Sequence, residues 1–342
     1  MHIGTVKTGS TALQGFLSNA SELLERKGFR HSKKVSNLSR DAWQGKDGAV
    51  AGEARRRVAE LLERGDAIVS YEGFSGKPFH GRMPTRESVE SLRGIVGEDI
   101  PVKVVLYLRR QDRLIESSYN NHVKRRMGTE SFAEFAEKAD LKRLDWETAV
   151  VAPFAECFGR GNMIVRQYES AVASGGIVAD FFRGALGVDD EKWLRDASRL
   201  GGKTYSNRSL SPAFLKFLRE ANAERPKEEL LELRRVMELI DDNRGGSAYF
   251  AADERRRVLG FFKKPNDALI AEWFPDAERF WKLSPEDAET ERVDIDAPLE
   301  EDEKSEISKR LDRVLRMKRL AGRLPKAVRS VAAALGLGRK HG

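Results

Sequence analysis

Residues 1–17 read MHIGTVKTGSTALQGFL. Met1–Gly4 is short and apolar, which predicts a strand. From Ser10 onward Leu13, Phe16, Leu17, Leu23 and Leu24 recur at helical spacing, which predicts a helix over residues 10–27. A glycine-bearing turn joins the two. Gly4 and Gly9 are spaced as in the phosphate-binding pattern G-x-x-x-x-G, but Ser10 stands where that pattern has Lys. The lysine of the loop, Lys7, precedes the second glycine. Strand, turn and helix together form an anion site. The first N–H groups of a helix lack intrahelical partners and carry the positive end of its dipole. Gly9 permits close approach of the backbone, Ser10 and Thr11 add hydroxyls, and Lys7 adds a full charge.

Further apolar runs follow. Ala67–Tyr71, Val102–Leu108 and Met163–Val165 have strand length and little alternation, as parallel strands covered on both faces do. A polar stretch runs to about Gly52, and the segment EARRRVAELLERG after it reads as a helix. Helical segments also fall at Glu87–Val96, Asp112–Arg126 and Trp146–Phe158. This alternation predicts α/β architecture, a doubly wound parallel sheet with a P-loop-like loop, over residues 1–210. A helical extension is expected over 211–284, with helices near 211–223, 228–241 and 253–262. Residues 285–342 are expected to hold an acidic linker, a helix and a basic tail.

The pattern H-I-G-x-x-K-T-G-S-T-x-L-Q resembles the 5′-phosphosulfate loop of the PAPS-dependent sulfotransferases, whose donor is 3′-phosphoadenosine 5′-phosphosulfate. It is most similar to bacterial members that modify carbohydrates. The resemblance covers about residues 1–210 in order of elements. It implies a fold like that of P-loop kinases, with Lys7, Thr8, Gly9, Ser10 and Thr11 around the phosphosulfate. It also implies an Arg at a strand end and a Ser eight residues later, both on the 3′-phosphate. In YLRRQDRLIESSYNNHVKRR, Arg109 and Ser117 have that spacing, and so do Arg110 and Ser118. The order makes physical sense: ligands of open α/β folds collect at the carboxyl edge of the sheet, which this Arg leaves. In RLGGKTYSNRS, which resembles the loop closing over the 3′-phosphoadenosine, Lys203, Ser206, Asn207 and Arg208 are the candidates.

Sulfuryl transfer, like phosphoryl transfer, depends on positioning and charge stabilisation. Lys7 is expected to neutralise the bridging oxygen, and no metal is required. An acceptor hydroxyl needs a base. Glu72, just after Ala67–Tyr71 in a stretch resembling S-x-E-x-[FL], is the first candidate, with His31 and His80 as alternatives. The implied acceptor is a carbohydrate or glycolipid. Trp43, Phe74, Phe79, Tyr119 and Trp146, with Lys124, Arg125 and Arg126, are candidates to line its cleft.

The chain has 342 residues, a net charge of +7 and one cysteine, Cys157. One cysteine excludes an internal disulfide framework and suits a reducing compartment. No start resembling a signal peptide and no apolar run of membrane-spanning length is visible, so a cytoplasmic enzyme is expected. The positive excess sits in Lys318–Gly342, which has Lys and Arg but no Asp or Glu. Basic charge confined to a tail does not point to nucleic acid. With Leu324, Val328, Val331 and Leu335 at helical spacing, the tail is a candidate for peripheral contact with anionic inner-membrane lipid. Two other readings compete: a P-loop small-molecule kinase, which needs Mg²⁺ and ATP, and a non-catalytic nucleotide-binding scaffold.

Overall fold

The structure is a computed structural model that describes residues 1–43, 48–203, 209–241, 248–276, 281–283, 287 and 292–320. In space the chain divides into two units that draw on non-consecutive stretches. The first comprises Met1–Gln111, Asp140–Asn207 and Arg256–Pro285; the second comprises Asp112–Ala139, Arg208–Arg255 and Glu286–Gly342.

The first unit contains two short parallel pairs. Strand β1 (Phe29–His31) pairs with β2 (Asp66–Ile68), and β3 (Val104–Leu108) pairs with β4 (Met163–Gln167). The N-terminal segment lies between the pairs. Its His2 N–H donates to Val69 O at 2.8 Å, and Tyr71 N–H donates back to His2 O at 3.1 Å. On the other side Ile3 N–H donates to Val105 O at 3.0 Å and Thr5 N–H to Tyr107 O at 3.3 Å. Residue 2 forms a parallel bridge to Ser70 and another to Val105. Five parallel segments thus follow the lateral order 29–31, 66–71, 1–5, 104–108, 163–167. All five residues of β3 are buried, as its unbroken apolar run implies.

Helix α1 (Ser10–Asn19) buries Leu13, Phe16 and Leu17 against Ile68, Val105, Tyr107, Phe181, Phe182 and Trp193. The helix expected to reach Lys27 breaks at Ala20, and α2 (Ser21–Glu25) resumes it. Ser18 and Asn19 donate their side chains to the carbonyls of Gln14 and Gly15, giving the last turn alternative partners. The described part of the polar stretch before Gly52 carries regular elements. It contains β1 and α3 (Lys33–Trp43), and α4 (Gly48–Leu62) begins before the expected EARRR. Packing holds α3: Val35 and Ser36 are buried, and Ser36 Oγ accepts from Ser70 N–H at 3.2 Å. Helix α5 (Arg86–Val96) starts at a capping box of Thr85 and Ser88. The expected helix at 146–158 changes register. Residues Glu147–Val151 form a π-helical turn before Ala152–Phe158, where Pro153 cannot donate to the ladder.

The second unit is helical, built on α6 (Gln111–Arg126) from Asp112 onward, with Pro212–Glu224, Lys227–Ile240 and Glu301–Leu320. Its interior holds a buried ion cluster. Arg255 pairs with both Asp112 and Glu116, and Glu116 also accepts the N–H groups of Tyr249 and Phe250. One guanidinium thus serves two carboxylates, and burial raises the Glu116 pKa.

Candidate functional site

The loop between the N-terminal segment and α1 is held by its own polar groups. Thr5 Oγ1 donates to Tyr107 O at 2.9 Å, and the buried Thr8 hydroxyl donates to Thr5 O at 2.6 Å. Two residues take left-handed backbone, Lys7 at φ 64° and Gly9 at φ 78°. Glycine adopts that conformation freely; lysine does so under strain, which is typical of residues whose direction is functionally constrained. Gly9 is the N-cap of α1 and makes no side-chain cap, so the opening N–H groups of the helix face the loop. Gly4 is required for space. A Cβ there would stand 2.6 Å from His2 Nε2 and 2.9 Å from Ser10 Oγ.

Glu72 opens the 3₁₀ turn Glu72–Ser75 that follows residues 66–71. Ser75 Oγ donates to Gly4 O at 2.7 Å and ties this turn to the base of the loop. Glu72 is half-buried, and burial pushes its carboxyl pKa up. The Ser10 hydroxyl and the charges of Lys7 and Lys77 act against that rise. The turn that carries Glu72 is thus anchored to the base of the loop.

Arg109, just after β3, also reaches the loop. Its Nη1 donates to Lys7 O at 3.2 Å, its Nε to Glu169 Oε1 at 3.1 Å, and its guanidinium lies 5.1 Å from the Tyr168 ring centre. Trp146 Nε1 donates to Arg109 O at 2.9 Å and fixes the strand end. Arg110 points elsewhere. It is wholly buried, with Nη1 donating to Lys282 O at 3.0 Å. Ser117 and Ser118 lie on α6 in the second unit, Ser117 half-buried and Ser118 buried.

The alternative bases are placed differently. His31 Nδ1 donates to Ile68 O at 2.9 Å, and burial lowers its pKa. His80 is exposed in the 3₁₀ turn Pro78–His80. The aromatic cleft needs correction. Phe74, Tyr119 and Trp146 are fully buried core residues, leaving Trp43 and Phe79 half-buried. Lys124 is buried as well, in a 3.6 Å ion pair with Glu238. Large rings gain most from complete burial, so composition alone does not separate platform from core. Ser206, Asn207, Arg208 and the tail from residue 321 lie outside the described residues, as does the side chain of Lys203.

Sequence reasoning passed over three neighbours of the site: His2, Lys77 and Glu169. His2 immediately precedes the Ile3-Gly4 pair, and Glu169 follows the end of β4 by two residues. Place inside the quoted pattern, for His2, and beside a strand end, for Glu169, was the available signal. Among the described residues no group of three or more His, Cys, Asp or Glu side chains is placed to hold a metal ion. Among them, too, no helix is long and apolar enough to cross a membrane.

No protein-family model matches the chain, and no solved structure does. The chain is similar to an uncharacterised protein of Archaeoglobus fulgidus, 30% identical over 231 residues. The aligned stretch covers 66% of this chain and 60% of that protein's length.

Proposed function

We propose that the chain is a PAPS-dependent sulfotransferase that moves a sulfuryl group from 3′-phosphoadenosine 5′-phosphosulfate to a hydroxyl or amine of a carbohydrate or glycolipid. The observation that carries this reading is the loop itself: left-handed Lys7 and Gly9 before the uncapped N-terminus of α1, with the turn that holds Glu72 tied to its base by Ser75 and burial raising the Glu72 pKa. A carboxyl moved toward the working pH is suited to take a proton. In the reaction the S–O bond to the leaving phosphate breaks and a new S–O bond to an acceptor hydroxyl, or S–N bond to an acceptor amine, forms. The acceptor proton goes to Glu72, and the Lys7 ammonium meets the charge developing on the phosphate oxygen. Thr8, Gly9, Ser10 and Thr11 surround the 5′ end at the start of α1. Arg109 takes the 3′-phosphate by exchanging its Glu169 partner, with Lys203 and Asn207 as further donor ligands.

The lateral order of the parallel segments supports a doubly wound α/β reading. Chain order reverses about the N-terminal segment, and ligands of such sheets bind at the carboxyl ends near the reversal. In this reading the enzyme works in the cytoplasm, and its basic tail meets anionic lipid at the inner membrane. Co-sedimentation with anionic liposomes should then be lost in a chain ending at Met317 and weakened by salt.

One observation favours a second reading, a P-loop kinase. A hydroxyl directly after Gly9 close to a carboxylate is also a pair that can hold Mg²⁺. Thermal-shift titration separates the two. The sulfotransferase predicts stabilisation by 3′-phosphoadenosine 5′-phosphate in EDTA and none by ATP with Mg²⁺; the reverse result selects the kinase.

A further inference from the structure

The first unit carries a cavity of about 670 Å³, within the size range of sites that take small organic molecules. It lies between the consecutive helices Ala252–Phe261 and Lys263–Trp273 and the segment 281–283. Its walls are mostly apolar, with Leu259, Ile270, Pro275, Trp281 and Leu283 among them. Buried partners hold this lining in place. Asn266 exchanges two hydrogen bonds with Gln111, at 2.9 and 3.1 Å. The Trp281 ring packs 5.3 Å from that of Phe274, and the Lys282 carbonyl accepts from Arg110 Nη1 at 3.0 Å. The cavity is therefore preformed, as ligand sites usually are.

Gly260 keeps it open. This residue stands in the last turn of its helix outside the left-handed region, so the backbone does not call for glycine there. A Cβ at that position would meet nothing within 4 Å, so crowding does not call for it either. Glycine inside a helix is unfavourable relative to alanine. What glycine supplies at 260 is space. The charges around that space are mainly of one sign. Arg256, Lys263 and Lys282 line it, with Asp267 as the acid among the described lining residues. Asp267 is held by Lys263 at 2.7 Å in an exposed pair, of the kind that contributes little and exchanges readily. Arg256 is exposed and forms no ion pair among the described residues.

We propose that this cavity is a binding site for an amphipathic anion, an apolar chain that ends in a carboxylate. The chain lies along Leu259, Ile270 and Trp281 beside Gly260, and the carboxylate meets Arg256 and Lys263. Burial of the chain drives binding, and the cations select the charged end. The site serves such a ligand whether or not the loop at Lys7 takes a sulfuryl donor.

Calorimetry with octanoate on the full chain tests this. The wild type should bind a single equivalent. Gly260→Phe puts a ring into the open space, so it should abolish binding while melting no lower than the wild type. Octanol, with the same chain and no charge, should bind roughly tenfold more weakly, and octyltrimethylammonium should not bind. Arg256→Gln should weaken octanoate and leave octanol unchanged, which assigns the charge preference to that side chain. If Gly260→Phe does not fold, fluorescence locates the ligand instead. Octanoate brominated at its chain end should quench Trp281, whose contribution is identified by its loss in Trp281→Phe. No binding by the wild type overturns the proposal. So does octanoate binding retained in a folded Gly260→Phe, octanol binding as tightly as octanoate, or quenching that is unchanged in Trp281→Phe.

Discussion

The Arg109 guanidinium donates to the main-chain oxygen of Lys7 at 3.2 Å, so the strand end after β3 braces the strained residue of the loop. The same guanidinium is paired with Glu169 at 3.1 Å, and in the proposed reading the donor's 3′-phosphate competes with that carboxylate. Arg109→Ala is therefore expected to weaken binding of 3′-phosphoadenosine 5′-phosphate by about 1.5–3 kcal/mol, the range for a charged hydrogen-bond partner. Glu169→Gln should strengthen it by removing the competitor. Isothermal calorimetry reads both, and unchanged affinity in Arg109→Ala would remove this arginine from the site.

Lys7 holds its ammonium in place at the cost of a left-handed backbone, φ 64°. Replacing it with glycine removes the charge and relieves the strain together. Lys7→Gly should thus match or exceed the wild type in thermal stability while losing nearly all turnover. Lys7→Met, which keeps the strain, should lose turnover without the gain. A fall in stability for Lys7→Gly would show that the side chain serves mainly to hold the loop.

Space around Gly4 sets a third expectation. A methyl group there would press on the His2 ring, which is buried on every side and cannot give way. Gly4→Ala should cost about 1–3 kcal/mol in urea unfolding, the usual penalty for overpacking a tight interior. A cost within error would mean that His2 or Ser10 moves freely.

The parts of the molecule that a local pattern specifies were visible in the sequence. Leu13, Phe16 and Leu17 mark the buried side of α1, and the apolar run at Val104–Leu108 is the buried β3. Lys33–Trp43 was passed over although Val35, Leu38, Ala42 and Trp43 recur at helical spacing, because the polar residues that dominate KKVSNLSRDAW mask that narrow stripe. Phe29–His31 is too short to display any period. In the site, Lys7, Ser10, Glu72 and Arg109 could be named because each stands in a motif or at a strand end. Glu169 stands in no motif, and His2, though it opens the quoted pattern, carries no chemistry there that the pattern names. Their significance comes from Ser70, 68 residues away from His2, and from Arg109, 60 residues away from Glu169, so only the folded chain assembles it.

The fourth expectation concerns pH and Glu72. Burial raises the folded-state pKa of this carboxyl above its ordinary value of 4.5. A group whose pKa is raised on folding favours the native state while protonated, and that contribution is lost as pH climbs through the folded pKa. Glu72→Gln keeps the shape and carries no charge at any pH. Its melting temperature should therefore track the wild type below the ordinary carboxyl value and exceed it increasingly as pH rises above 4.5. Sulfuryl transfer should meanwhile fall by roughly 10²–10⁴, the usual contribution of a general base, with bisphosphate affinity nearly unchanged. Melting curves at a series of pH values, with donor turnover measured beside them, check both halves. A mutant that melts parallel to the wild type at every pH would mean the carboxyl is well solvated in the folded chain, and the argument for Glu72 as the base would lose its footing.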